Sequence, residues 1–184
     1  AIEQFGVTGA RPPLRIPPYI LGVWLGDGCK HNTNLTNIDP EVIAEWEQFA
    51  RSRGLSVHHY KHKDHAITNW QRGRHQVNSF KDDLRTYGVL GNKHIPFDYQ
   101  TASLKERLEL LAGLIDTDGT LDQRSKRQFQ IIQKDQAVAA AILFVGKSVG
   151  MHVTMRPVRK SWTWKGEKKT GTYYALHFTR NEIG

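Results

Sequence analysis

The most constraining feature of this sequence is that it repeats itself. Ile20-Leu21-Gly22-Val23-Trp24-Leu25-Gly26-Asp27-Gly28 aligns with Leu111-Ala112-Gly113-Leu114-Ile115-Asp116-Thr117-Asp118-Gly119, an offset of 118 − 27 = 91. Two copies in one chain imply two structurally similar halves related by a pseudo-two-fold axis. Within each copy, small residues stand four apart: Gly22 and Gly26, then Gly113 and Thr117. On a helix that spacing clears a flat stripe on which two backbones can approach closely. A glycine inside a helix costs about 1 kcal/mol relative to alanine, so these glycines point to a packing requirement at the axis.

The rest of each half reads as mixed helix and strand. Pro18 suits the first turn and Gly28 the end of a short buried helix over 18–27. A weak strand over 32–38 leads to Asp39-Pro40, an N-cap with proline at N1, and an amphipathic helix to Gly54. Strands are expected at 55–61 and 66–72, a helix at 77–87 and a loop around Pro96. Ser103 and Glu106 form a capping box for a helix running to Gly119. Strands at 120–121 and 128–133, a helix over 135–149, and strands at 152–158 and 172–179 follow, with a turn from Lys160 to Thr170. The order helix, strand, strand, helix, strand, strand in each half predicts an α+β fold.

Charge narrows the partners. The 184 residues carry 26 Lys plus Arg against 18 Asp plus Glu, a net +8. An excess of this size favours a polyanion, most often nucleic acid. Cys29 is the only cysteine, which excludes a disulfide scaffold. No stretch approaches the ~18 consecutive apolar residues of a membrane span. The first ten residues have neither a basic n-region nor an apolar h-region, so a soluble, cytoplasmic protein is expected. Asp116-Thr117-Asp118-Gly119 is not an EF-hand loop, whose glycine falls at position 6. Gly88 to Lys93 lacks the phosphate-binding G-x-x-x-x-G-K-[ST] spacing.

Leu110 to Gly119 nearly spells the signature of the LAGLIDADG homing endonucleases, and Leu21 to Gly28 resembles the divergent copy of two-motif members. Asn92-Lys93-His94-Ile95-Pro96 resembles a further block of intein-encoded members. The resemblance implies two pseudo-symmetric αββαββ(α) repeats forming a saddle over DNA. Residues 1–17 would be a linker, 18–100 the first repeat and 101–184 the second. It also implies that Asp27 and Asp118 ligate divalent metal at scissile phosphates. The carbonyls of Gly26 and Thr117 are neighbouring ligand candidates, and Lys93 matches a basic residue near one active site.

The residues suit that chemistry. A carboxylate at a helix C-terminus faces roughly −0.5 of a charge, and two such carboxylates side by side repel, so the arrangement calls for a cation. Oxygen ligands with open water positions suit Mg²⁺, with Mn²⁺ an alternative. Phosphodiester hydrolysis of double-stranded DNA is the expected reaction, one strand per aspartate, with Lys93 stabilising charge on the phosphate.

Two basic, aromatic-bearing strand pairs are candidate DNA contacts. The first carries Lys61, Lys63, Trp70, Arg72 and Arg74; the second Arg156, Arg159, Lys160, Trp164 and Lys165. Arg124, Lys126 and Arg127 add a third group beside the second motif. A two-stranded ribbon fits the major groove. His58, His59, His62 and His65 crowd the first hairpin and are expected on the DNA face or in solvent.

The second copy is short. Lys93 lies 66 residues after Asp27, and 118 + 66 = 184 is the last residue, so the matching lysine and closing helix are missing. The chain begins with Ala1 and does not end in His-Asn, so it reads as an endonuclease region cut from an intein, acting as a monomer, with a splicing domain flanking it in the parent. The alternative is a degenerate or truncated LAGLIDADG module that nicks DNA, or only binds DNA or RNA, as a maturase or splicing-support insert.

Overall fold

A computed structural model describes residues 12–61, 63–71, 74, 75, 77–123 and 128–179; for 70, 71, 74 and 75 it describes the backbone only. The first half contains α1 (Pro18–Asp27), β1 (Asn34–Thr36), α2 (Pro40–Ser52), β2 (Ser56–His59), β3 (Asp64–Thr68), the short β4 (Trp70–Gln71) and β5 (Arg74–His75), α3 (Ser79–Thr86) and α4 (Phe97–Gln100). The second contains α5 (Leu104–Asp118), β6 (Gly119–Leu121), β7 (Gln128–Gln133), α6 (Gln136–Ser148), β8 (His152–Trp164) and β9 (Glu167–Thr179). The fold is α+β, with antiparallel sheets ordered β1-β3-β2 and β6-β7-β9-β8 and a separate β4-β5 pair.

The two motif helices meet as their glycines require. A side chain at Gly22 would overlap the Leu110 carbonyl, and one at Gly113 would overlap the Tyr19 carbonyl. The contact is reciprocal between repeat-equivalent positions, since 22 + 91 = 113, which is the signature of a two-fold relation. Leu21, Val23 and Trp24 of α1 and Leu110, Leu111 and Leu114 of α5 are fully or almost fully buried around this seam.

Capping proceeds as the sequence directs. Asp39 accepts from the Glu41 amide, Ser103 and Glu106 close their capping box, and Asp135 accepts from Ala137 and Val138. Gly28 and Gly119 end their helices in extended backbone rather than in the left-handed conformation usual for glycine after a helix.

Four expectations need correction. The turn assigned to Lys160–Thr170 is strand almost throughout: β8 and β9 stay paired from His152↔Thr179 to Trp164↔Glu167. Only Lys165 and Gly166 turn, both at positive φ, in the two-residue geometry that matches strand twist. The strand expected at 66–72 forms at 64–68. The first copy's equivalent of β6 shrinks to one bridge, Gly28↔Leu35. A short helix, α4, occupies the region read as loop around Pro96.

The repeat offset also shifts along the chain. It is 91 at the motif helices, but α2 superposes on α6 at 136 − 40 = 96, and β2 meets the start of β8 at 152 − 56 = 96. Five residues have been added between β6 and β7. Another 15 lie in the β8–β9 hairpin, so His65, which pairs with Leu35, corresponds to Leu176, which pairs with Ile131 at 176 − 65 = 111.

Candidate active site

The C-terminal ends of α1 and α5 bring Asp27 and Asp118 to one place. A side chain built on Gly26 would overlap Thr117 Oγ1 and come within 3.6 Å of Asp118 Cγ. Only glycine at this position lets the two helix ends close up. Thr117 fills the twin position; its hydroxyl donates to the Gly113 carbonyl (2.8 Å) within its own helix.

Each aspartate is held by a side-chain amide that sequence reading did not single out. Asn37 Nδ2 donates to Asp27 Oδ2 at 2.7 Å, and Gln133 Nε2 donates to Asp118 Oδ2 at 2.8 Å. Asn37 directly follows β1 and Gln133 is the last residue of β7, the equivalent strand, and the two are related by the offset 133 − 37 = 96. Among the described residues neither second carboxylate oxygen has a hydrogen-bond donor, which leaves one oxygen on each aspartate for a cation.

Lys93 arrives from the loop between α3 and α4. Its ammonium donates to the carbonyls of Leu25 (3.0 Å) and Gly26 (3.2 Å), the exposed negative end of α1, and lies 5.3 Å above the Trp24 ring. Burial lowers the Lys93 pKa, opposed by the charges of Asp118 and Asp27 and then by Cys29. Burial also raises the Asp118 pKa, reinforced by the Asp27 charge and opposed by Lys93 and the Gln133 hydrogen bond. The centre thus gathers two carboxylates, one ammonium and two amides.

This donor set fits a divalent cation: two carboxylates in mutual repulsion, each with one oxygen not engaged by the described residues. Asp27 and Asp118 are the residues placed to hold one. The Gly26 carbonyl, expected as a further ligand, accepts from Lys93 here. Among the described residues no group of three His, Cys, Asp or Glu side chains forms a separate metal cluster.

The basic side chains distribute along the sheets. In the second sheet Ile131, Leu176, Val153 and Phe178 face the helices and are buried. Strand alternation puts Gln130, His177, Thr154 and Arg156 on the opposite, open face, where Gln130 Nε2 meets His177 Nε2 at 3.0 Å. Lys160, Trp162 and Trp164 continue that face up the ribbon, whereas Arg159 falls on the other one. Lys165 sits in the terminal turn. Lys61 and Lys63 are exposed at the β2–β3 turn. Arg72, Arg124, Lys126, Arg127 and His62 lie outside the described residues, as do the side chains of Trp70 and Arg74. His59 is exposed as expected, whereas His65 is buried, and the two rings meet Nδ1 to Nδ1 at 2.7 Å.

Comparison with known proteins agrees with this architecture. Residues 94–183 match the homing endonuclease family. A replicative DNA helicase DnaB of Mycobacterium intracellulare is 36% identical over 144 residues, 78% of this chain but 21% of the helicase; the chain spans about a fifth of that relative's length. Among solved structures, mesophilic variants of the homing endonuclease I-DmoI align over 90% of this chain and 88% of theirs, at TM-score 0.54 and 15% identity. I-DmoI in complex with DNA and Mn aligns over 90% and 89%, at TM-score 0.51 and 15% identity. Over residues 94–183 the sequence is thus similar to the homing endonuclease family, and over nine-tenths of its length the chain shares the LAGLIDADG fold of I-DmoI.

Proposed function

We propose that the chain is a divalent-metal-dependent endonuclease that hydrolyses both strands of a long, asymmetric DNA target, with one strand assigned to Asp27 and the other to Asp118. The observation that carries this reading is the paired carboxylates at the seam, each steadied by an equivalent amide, in a fold whose second sheet bears basic and aromatic side chains on its open face. I-DmoI, which shares the fold, has been solved in complex with DNA and Ca and with DNA and Mn.

Asp27 and Asp118 would hold the metal, Mg²⁺ or another divalent ion. When bound, such an ion supplies Lewis-acid polarisation of the phosphate and a water of lowered pKa. The chain's own residues do the rest. Asn37 and Gln133 fix the carboxylate orientations. Lys93 places one positive charge at the α1 end, where it offsets negative charge developing on the scissile phosphate. Arg156, Lys160, Lys165, Lys61 and Lys63 would contact phosphate and set register, while Gln130 and His177 reach base edges. The proposed domain boundaries follow the repeat: a linker over 1–17 whose Ile16 packs into the core, then 18–100 and 101–184 as the two halves. Because both halves lie in one chain, a monomer supplies what a symmetric dimer would.

What speaks for an intein origin is that the helicase match takes in 78% of this chain but only 21% of the helicase. The test uses supercoiled plasmid carrying the uninterrupted helicase-gene site. Mg²⁺-dependent linearisation that Asp27→Asn and Asp118→Asn each reduce to nicking is expected. Parental activity in both variants would overturn the assignment, and specific binding in Ca²⁺ without cutting in Mg²⁺ would favour a binding-only module.

A further inference from the structure

The last turn of α1 ends differently from the last turn of α5. In each helix the final carbonyls find no amide four residues on within the helix. The Gly28 amide takes the Trp24 carbonyl, and the Gly119 amide takes the Ile115 carbonyl. The next two carbonyls are Leu25 and Gly26 in α1 and, at the offset of 91, Asp116 and Thr117 in α5. Lys93 Nζ donates to both members of the first pair, at 3.0 and 3.2 Å. Among the described residues no side chain donates to either member of the second pair. The Lys93 loop is pinned just before the lysine: the Gly91 amide donates to the Lys30 carbonyl and the Asn92 amide to the Val89 carbonyl. A tied loop thus delivers the ammonium to the α1 end, past the Trp24 ring 5.3 Å away.

These bonds set a tethered charge among the oxygens that suit a cation. An ammonium carries three hydrogens and no lone pair, so it seeks carbonyl and carboxylate oxygens as a metal ion does. A side chain on Gly26 would come within 3.6 Å of Asp118 Cγ, so the residue whose carbonyl Lys93 takes adjoins the Asp118 carboxylate across the seam. The charges of Asp118 and Asp27 both favour the ammonium. A divalent ion and an ammonium on one carbonyl repel each other, which makes them alternative occupants. By the two-fold relation the counterpart of this place is Asp27 with the Thr117 carbonyl, where no tethered charge stands among the described residues.

We propose that Lys93 is a tethered counter-ion, a positioning residue that competes with the divalent cation for the Gly26 carbonyl beside Asp118. The two halves of the centre then take up metal unequally, the Asp27 half more readily. Lys93 is released when an anionic phosphate oxygen replaces the neutral carbonyls as its acceptor, because the hydrogen bond to a charged acceptor is the stronger. DNA and the cation therefore favour each other's binding, and by reciprocity equally. The competition needs only that the centre binds a cation; its release by DNA rests on the endonuclease reading.

Calcium binding to the full chain, measured by calorimetry without DNA, tests the competition. Lys93→Met keeps an apolar stem beside Trp24 and removes the charge. It should bind Ca²⁺ about 10-fold more tightly than the parent, because the ion no longer has to break an ammonium–carbonyl bond. In the Asp118→Asn background the same substitution should make no difference, which localises the effect to that half. Equal or weaker binding by Lys93→Met overturns the proposal. A second measurement needs no variant: the Lys93 side-chain NMR signals are followed while the parent is titrated with Ca²⁺. They should move toward those of an exposed lysine as the ion binds. Signals that stay fixed at saturation overturn the proposal, whether or not Lys93→Met folds. An uncut target duplex added in Ca²⁺ should tighten ion binding more in the parent than in Lys93→Met; equal tightening overturns the release step. No response to the duplex, with the competition intact, sinks the endonuclease reading and leaves the counter-ion standing.

Discussion

Asp118 works against its own charge. It lies partly buried at the end of α5 beside Asp27, and its pKa is raised, first by burial and then by the Asp27 charge. A carboxyl whose folded pKa lies above its unfolded value binds its proton more tightly in the native state. Metal-free stability should therefore fall as pH rises from the ordinary carboxylate range to the raised value, and stay lowered above it. Asp118→Asn should remove that decline and raise the metal-free melting temperature at neutral pH while lowering cleavage of its strand by about 100-fold or more. Thermal melts in chelator across pH, compared with melts in Ca²⁺, check the sign: the cation should restore in the parent what the substitution gives without it. Lys93 meets the opposite demand at the α1 end. Lys93→Met keeps the stem over Trp24 but deletes both bonds to the Leu25 and Gly26 carbonyls, so it should lower metal-free stability by about 1–3 kcal/mol. The loss should narrow in Ca²⁺, because a second cation then neutralises the same carboxylates; a loss of equal size with and without Ca²⁺ would count against that account.

At the scale of elements, the seam between α1 and α5 has no room for even one methyl group. Gly22→Ala and Gly113→Ala each set a side chain against a carbonyl of the facing helix, and backbone cannot rotate away as a side chain can. Each should destabilise by about 1–3 kcal/mol or more despite the higher helix propensity of alanine, read as a shift in denaturant midpoint. That seam was legible in the sequence because both small-residue pairs, Gly22/Gly26 and Gly113/Thr117, and both acids fall within a contiguous nonapeptide, repeated without gaps. The amides that hold those acids were not. Asn37 lies ten residues beyond Asp27 and Gln133 fifteen beyond Asp118, and the five-residue insertion before β7 breaks the offset that would have aligned them. The contact between His59 and His65 was hidden more thoroughly. His59 and His65 suggested a solvent-facing cluster by count, but their contact depends on strand register, in a hairpin 15 residues shorter than its counterpart. The same difference explains the misread turn: Lys160 to Thr170 is polar enough to pass for loop, yet it is a two-stranded ribbon whose two faces both meet water, so no apolar alternation marks it.

For the whole molecule, the ribbon makes the pseudo-symmetry unequal. Its open face carries Lys160, whose ammonium lies 5.7 Å from the Tyr173 ring centroid, and Trp162, packed edge-on to Tyr173 at 6.2 Å and lying across Gly171. Lys168 and Lys169 stand exposed near the tip beside Lys165. None of these residues belongs to the buried core, so removing their charge should leave the melting temperature unchanged while weakening DNA binding. Each phosphate contact contributes about 0.9 to the slope of log affinity against log salt. The triple variant Lys160→Ala/Lys165→Ala/Lys168→Ala should therefore flatten that slope by up to about 3, measured by fluorescence anisotropy in Ca²⁺ so that binding is separated from cutting. The weakening should be similar on target and scrambled duplex, because phosphate contacts carry no sequence information. Gln130→Ala should act oppositely: on the proposed reading its amide meets a base edge rather than phosphate, so the salt slope should hold while the preference for target over scrambled DNA drops about 10-fold. An unchanged slope in the lysine variant would place the ribbon off the DNA, and would leave the +8 charge to be accounted for by the basic residues of the first half.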